Sequence, residues 1–272
     1  MLAEANGNEL RVGRLRAAFA EGRLGDAGAE LQAWLKAGLV SDFIAQQIER
    51  LITSSDYIPT MSVPYVRMDG LLIAVALAIP GSVPLFGKIL RDSAEDAVIG
   101  IAGGAAMTFR INELPNLPDH DVFDRSVRLS PGRVRTLHPL EVLEIRAGRD
   151  VVDVVEHEGY TVLVSAHGPP RYTTVWTFDS ETLVPKAARA ATLQISRIEF
   201  ALGLLAHFGS PTSAVAIEPL LSHEAHNVRW CAANALDRIA PQRTADVLRR
   251  LCDDEHPHVR AAAKRALAAR MA

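Results

Sequence analysis

Apolar side chains recur every three to four positions over residues 8–22 (NELRVGRLRAAFAEG), about 25–38 (LGDAGAELQAWLKA) and 41–54 (SDFIAQQIERLITS). That spacing predicts three amphipathic helices. Leu15 and Phe19, Leu31 and Leu35, and Ile44, Ile48 and Leu51 fall on their inward faces, with Ser41 placed to cap the third. After Tyr57 the period shortens toward two. VPYVRM, the turn former Asp69-Gly70 and LLIAVALAI read as a hairpin, and Gly103-Gly104 in AVIGIAGGAAMTFRI marks a break or bulge. Between 121 and 186 come six short β-branched runs: SVRL, RVRTL, EVLEIRA, DVVDVV, YTVLVSA and YTTVWTF. The turn formers PG, AGRD, HEG and HGPP separate them, as in a small barrel or sandwich.

The stretch Gly70–Gly87 carries no charge for 18 residues, close to the length of a membrane span. Pro80, Gly81 and Pro84 interrupt it, leaving Leu71 to Ile79 as the continuous apolar run. As a helix that run would reach only about 13 Å, against a hydrocarbon core of roughly 30 Å. A strand in a sheet covered on both faces suits it better. No membrane association is expected.

Towards the C-terminus the chain repeats a phrase, HNVRWCAANAL and then HPHVRAAAKRAL. Aligning Val228 with Val259 gives a period of 31 residues, which also superposes Leu220 on Leu251, Arg229 on Arg260 and Leu236 on Leu267. Each copy is preceded by a shorter helical pattern, roughly 213–221 and 244–252, so the unit is a helical hairpin. The connections SHEAHN and DDEHPH supply helix stops and starts. A unit this small cannot hide its own apolar stripe, so the copies must stack. One period earlier, ISRIEFALGLLAHFG places Ala201, Leu205 and Phe208 at the inward positions of Ala232, Leu236 and Ile239. It reads as a degenerate first repeat or capping helix, with PKAARAATLQ before it as a domain boundary.

The segments HNVRWCAANAL and DDEHPHVRAAAKRAL resemble the HEAT-repeat family in its short bacterial form, over about residues 190–270. The resemblance implies an α-solenoid. It says little of activity, because such repeats serve scaffolds, lyase subunits and some DNA-acting enzymes alike.

Composition narrows the classes. The 272 residues are 49% hydrophobic and carry a net charge of −3, which gives no general attraction to nucleic acid or anionic membranes. Residues 187–272 hold 11 Lys and Arg against 8 Asp and Glu, a weaker excess than a phosphate-tracking surface needs. Nucleic acid is therefore not the expected partner, although an accessory nucleic-acid-binding factor is a third reading. Cys231 and Cys252 lie in helical patterns, form no metal motif and read as small buried apolar residues. The N-terminal MLAEANGNELRVGRLRAAF lacks the layout of a signal peptide, so a reducing cytoplasm is expected.

The candidate chemistry of the β region is His138, Glu141, Glu144, His157 and His167, with Asp179 nearby. RTLHPLEVLEIRAG resembles the first cupin motif, which implies a metal held in a small barrel, but the paired His-x-His is absent. His157 and His167 both fall in turns, EHEGY and HGPP. No phosphate-binding glycine loop and no Gly-x-Ser-x-Gly elbow occurs. His223, His226, His256 and His258 sit in equivalent inter-helix loops, where loop packing and capping account for them without a metal.

The expectation is an α+β chain in three parts: helical residues 1–58, a β-rich barrel or sandwich over 59–186, and HEAT-like repeats over 187–272. Its expected function is non-catalytic protein–protein interaction, as an adaptor, with Arg229, Trp230, Arg260 and Lys264 at the partner surface. No catalytic residue, metal or cofactor is assigned. The β region has room for a small ligand, and a cupin-like metal-dependent enzyme is the alternative.

Overall fold

Burial on both faces explains the central sheet. In the computed structural model, which describes residues 2–38, 62–68, 70–78, 89–157 and 159–271, strands β1 (Ser62–Met68), β2 (Leu71–Ala78), β4 (Glu95–Gly104), β7 (Val142–Ile145) and β9 (Thr161–Pro170) form one sheet. Its order is β1-β2-β9-β4-β7 and its pairs are antiparallel. Helices α1 (Leu2–Ala20) and α2 (Leu24–Lys36) lie on one face, where Leu15, Phe19, Leu31 and Trp34 pack against Ile73, Val98 and Val164. Ala97, Ile101, Leu143 and Ile145 point the other way, into a second core with Met107, Phe109, Ile111 and Leu137. Both faces are covered, which is why the run from Leu71 reads as unbroken apolar sequence. The expected helix over 41–54 lies outside the described residues.

The second core is completed by a sheet of order β6-β5-β8, made of β5 (Met107–Glu113), β6 (Ser130–Leu137) and β8 (Asp150–His157). A third sheet, β11-β10-β3, joins β3 (Ile89–Arg91), β10 (Thr174–Asp179) and β11 (Pro185–Ala190). Among the described residues these are three open sheets with free edges, not one closed barrel. The expected bulge is present: the β4–β9 register shifts between Ile101 and Gly103, and Gly104 has φ of 95°. A side chain on Gly104 would collide with the Tyr160 carbonyl oxygen.

Three local expectations change. SVRL at 126–129 forms no strand. HGPP is no turn, since β9 continues to Pro170 and pairs His167 with Leu72 on one side and Ala97 on the other. Gly168 serves the approach of α1 instead, because a Cβ there would sit 3.0 Å from the Phe19 ring. The stretch expected as a boundary, PKAARAATLQ, contains strand β11. Pairing on both sides outweighs local turn preference in HGPP, and a partner strand claims the supposed linker in the last case.

The chain divides into two compact units, and the helices and sheets above belong mainly to the first. The second comprises Leu117–Asp124, Tyr172–Val175 and Ala188–Ala272. Its helices are α3 (Leu193–Phe208), α4 (Ala214–Ile217), α5 (His226–Ile239), α6 (Thr244–Leu251) and α7 (Pro257–Met271), with a 3-10 turn over Glu218–Ser222. Thr192 caps α3 by accepting from the Ile195 amide at 3.2 Å, and Pro257 opens α7. Val228, Ala232, Ala235, Leu236 and Ile239 of α5 are buried with Leu248, Leu251, Val259 and Ala263 in one core, as the 31-residue period requires.

Candidate protein-binding surface

The repeated arginine performs the same task twice. Arg229 donates to the carbonyls of His223 and Glu224 at 2.8 and 3.0 Å, and Arg260 donates to those of Asp254 and Glu255, both at 2.6 Å. Each guanidinium thus ties down the loop that precedes its own helix. Arg229 adds a bidentate bond to Asp254, Nε–Oδ2 2.8 Å and Nη2–Oδ1 2.7 Å, with both side chains only 5% exposed. This joins one loop to the next. Burial alone would raise the Asp254 carboxyl, but bonds from Arg229 and the His256 amide hold it below the usual carboxylate range.

Beside that ion pair the imidazoles of His226 and His256 stack, with centroids 3.6 Å apart and planes 3° from parallel. His258 meets His256 edge-on at 5.2 Å. His256 Nε2 lies 3.1 Å from the Asp121 carbonyl oxygen. A carbonyl only accepts, so Nε2 carries the proton of the neutral ring and buried Nδ1 is left without a partner. Desolvation, then the neighbouring His256, brings His226 down to about 4, and desolvation lowers His256 as well. Parallel rings aim their nitrogens side by side, not at a shared point. Among the described residues no three His, Cys, Asp or Glu side chains converge as metal ligands.

Asp121 anchors the segment that reaches these histidines. Its carboxylate accepts from the Thr173 and Thr174 amides at 3.0 and 2.9 Å and from the Thr174 hydroxyl at 2.8 Å. Asp121→Ala is expected to cost about 1–2 kcal/mol, read as a lower melting temperature, because three donors lose their partner in a half-buried site. An unchanged melting temperature would show that the segment is held by other contacts.

Of the four residues expected at a partner surface, Lys264 is exposed, Trp230 and Arg260 are half-buried, and Arg229 is buried in its ion pair. Trp230 also packs along the edge of the array core.

Sequence reading missed a larger feature on α3. Ile195 and Leu202 face the core, supported by Ile198 and Leu205. Ala201 and Phe208, expected inward, are exposed. On the outward side Leu193, Phe200, Leu204 and Phe208 are 65%, 69%, 44% and 85% exposed. Apolar side chains fall on both its inward and its outward sides, with Gln194, Ser196, Arg197, Glu199 and His207 among them, so periodicity alone gave no phase. The apolar residues beyond the inward set were themselves the signal, since a helix that is apolar on opposite sides is normally covered on both.

Among the described residues the β-region candidates form no cluster that could hold a metal. His138 is exposed, and its amide donates to Glu141 Oε2 at 2.8 Å. Glu144 is exposed, while His157 Nδ1 is bonded to the Gly159 carbonyl at 3.0 Å. Desolvation lowers the half-buried His167. Asp179 pairs with Lys186 at 2.8 Å and accepts from Thr182, which holds it well below the ordinary carboxylate range. The interior between the five-stranded sheet and the β6-β5-β8 sheet is lined by apolar side chains.

No curated protein matches the chain in sequence. A cupin-like protein from Thermotoga maritima is similar over 49% of this chain and 78% of its own, at 10% identity and a TM-score of 0.26. The DMSP lyase DddQ from Ruegeria pomeroyi is similar over 42% and 49%, at 11% identity and 0.26. Tomato vicilin is similar over 41% and 26%, at 10% identity and 0.26. Scores this low carry no functional argument. The family model for HEAT repeats matches residues 187–268. The C-terminal third of the chain therefore resembles HEAT repeats in sequence, and it is built as a succession of packed helices.

Proposed function

We propose that this chain is a non-catalytic protein-binding module, an adaptor working in the cytoplasm, whose contacts are made by the HEAT-like residues 187–272. The observation that carries the reading is the outward face of α3, where Phe200 and Phe208 stand largely in solvent although Ile195 and Leu202 already bury the helix's other side. The four exposed side chains present roughly 500 Å² of apolar surface, the size of the largest patch on a typical monomer, which is often a functional one. In this reading the repeats stack as a short solenoid, and residues 59–186 supply either a second contact or a small-ligand pocket. Trp230 and Lys264 form a second contact, while Arg229 and Arg260 brace the loops that hold it.

The test is recovery of a partner from the native host with the full chain as bait. Trp230→Ala and Lys264→Glu are expected to reduce recovery about tenfold or more if that contact is central. Phe200→Asp should abolish it if the α3 face is used. Undiminished recovery with all three variants would remove the array from the binding role. Stoichiometric metal in untagged protein, lost on His138→Ala or His157→Ala, would favour a metal enzyme instead.

A further inference from the structure

The two ends of the helical array differ in character. The last helix, α7, exposes His258, Ala261, Lys264, Arg265 and Ala268, and no large apolar side chain of its described residues is exposed. That is the polar outer face a terminal repeat needs for solubility. At the other end α3 exposes two phenylalanines and two leucines. Head-to-tail stacking of copies would press those rings onto Lys264 and Arg265, which desolvates charge without a partner. An apolar partner surface of matching shape is required, and the chain carries one itself.

The pattern on α3 is nearly its own mirror. Turning the helix end for end about the point between Phe200 and Ala201 brings Leu193 level with Phe208. The same turn sets Arg197 level with Leu204, where the arginine stem covers the leucine while its exposed guanidinium keeps its water, and the polar rim residues Gln194 and His207 level with each other. The two Phe200 rings then lie within about one residue rise, ~1.5 Å along the axis, and can pack as an aromatic pair. Ala201 is exposed and small, which lets the two backbones approach beside them. The two Arg197 side chains are kept roughly 10 Å apart along the axis, about one Debye length in physiological salt. Doubling the apolar face gives about 1,000 Å² buried, the lower bound for a specific contact. A closed two-fold contact also consumes the face in both copies and leaves nothing to propagate a fibre.

We propose that the outward face of α3 is a self-association surface, on which a second copy of this chain packs antiparallel about a two-fold axis between Phe200 and Ala201. This rests on the reading of the array as a protein-binding module and names the partner of its most apolar face. Trp230 and Lys264 lie on other helices of the same array, so a dimer leaves them free for a second protein.

Sedimentation equilibrium of the full chain tests it, over about 1 to 100 µM in line with a contact of this size. Twice the chain mass is expected for the native sequence. Phe200→Asp, an exposed position, should raise the dissociation constant at least about a hundredfold while circular dichroism stays unchanged. A cross-linking arm fixes the geometry. Ala201→Cys lies beside the axis and should form an intermolecular disulfide on mild oxidation. Leu193→Cys, roughly 22 Å from its counterpart, should not. The native sequence, with Cys231 and Cys252, sets the background. A monomer throughout the range overturns the proposal, as does a dimer that survives Phe200→Asp with Phe208→Asp. Cross-linking through Leu193→Cys but not Ala201→Cys overturns the antiparallel arrangement. If the chain is monomeric yet Phe200→Asp abolishes recovery of a host partner, the protein-binding reading stands and only self-association falls. If recovery by that monomer is also untouched by Phe200→Asp, Trp230→Ala and Lys264→Glu, both fall.

Discussion

Arg229→Ala is expected to lower the stability of the helical unit by about 3–5 kcal/mol, the loss typical of breaking a buried ion pair from one side. The change removes four hydrogen bonds at once: two to Asp254, and one each to the His223 and Glu224 carbonyls. It leaves the Asp254 carboxylate buried beside an emptied space. Arg260→Ala is the natural comparison, because it removes the same pair of loop-carbonyl bonds from a half-buried side chain that has no bidentate carboxylate partner of its own. Its cost should be about 1 kcal/mol. Chemical denaturation of the full chain, followed by helical circular dichroism, separates the two. A further arm isolates the charge: Arg229→Met with Asp254→Leu should recover much of the loss, since replacing both ions by apolar groups removes the orphaned carboxylate. Equal losses for Arg229→Ala and Arg260→Ala would show that the link to Asp254 contributes little. The same result would also make the loop carbonyls the real function of the repeated arginine.

The helical unit should also weaken as pH falls from about 6.5 to about 4. His226 titrates near 4 in the folded chain, pushed down by desolvation and then by stacked His256, with Arg229 and His258 adding to the effect and Asp121 opposing it. An unfolded histidine titrates near 6.5, so between those values the unfolded chain binds the extra proton and stability is lost as protons are added. The loss is fully absent above pH about 6.5 and complete below about 4. It should amount to about 2 kcal/mol for His226 after allowing for the part of its ring that meets solvent. His256 moves in the same direction, because its protonated form would place charge on a buried Nδ1 that has no partner. Asp119 and the Asp121 carbonyl on the facing segment offset this in part. Below the ordinary carboxylate range Asp254 adds a second loss, since its folded pKa is depressed and its ion pair with Arg229 disappears on protonation. Melting temperatures measured from pH 7.5 to 4 follow the first loss. His226→Phe keeps a ring in the stack and removes one titration, so its curve should be flatter. An equal slope in that variant would place the proton uptake elsewhere.

Much of the architecture was legible from spacing alone. The 31-residue repeat, its paired helices and the inward set from Val228 to Ile239 follow from a helical period in which only one face is apolar. Leu15, Phe19, Leu31 and Leu35 were legible for the same reason, and the period of two located the hairpin β1–β2 and the bulge at Gly103-Gly104. Neither the packing of α1 and α2 onto the five-stranded sheet nor the division into three open sheets could be read, because stripes say that a face is buried but not against what.

The candidate surface depended more on the tertiary structure. Arg229 and Trp230 are neighbours in sequence, yet one is enclosed by Asp254 from 25 residues away and the other stays half-open. His256 Nε2 donates to the Asp121 carbonyl across 135 residues, a contact no local pattern encodes. The direction of α3 was likewise undecided by its own sequence, since apolar residues lie on opposite sides of the helix and more than one rotation buries some of them. Packing settled it, turning Leu202 to the core and Phe208 to solvent. Sequence by itself determined which segments become helices and strands and which repeat, because those follow from local periodicity. Only the folded chain decided which charges are paired and which apolar face is left over, because both depend on partners brought together from distant positions.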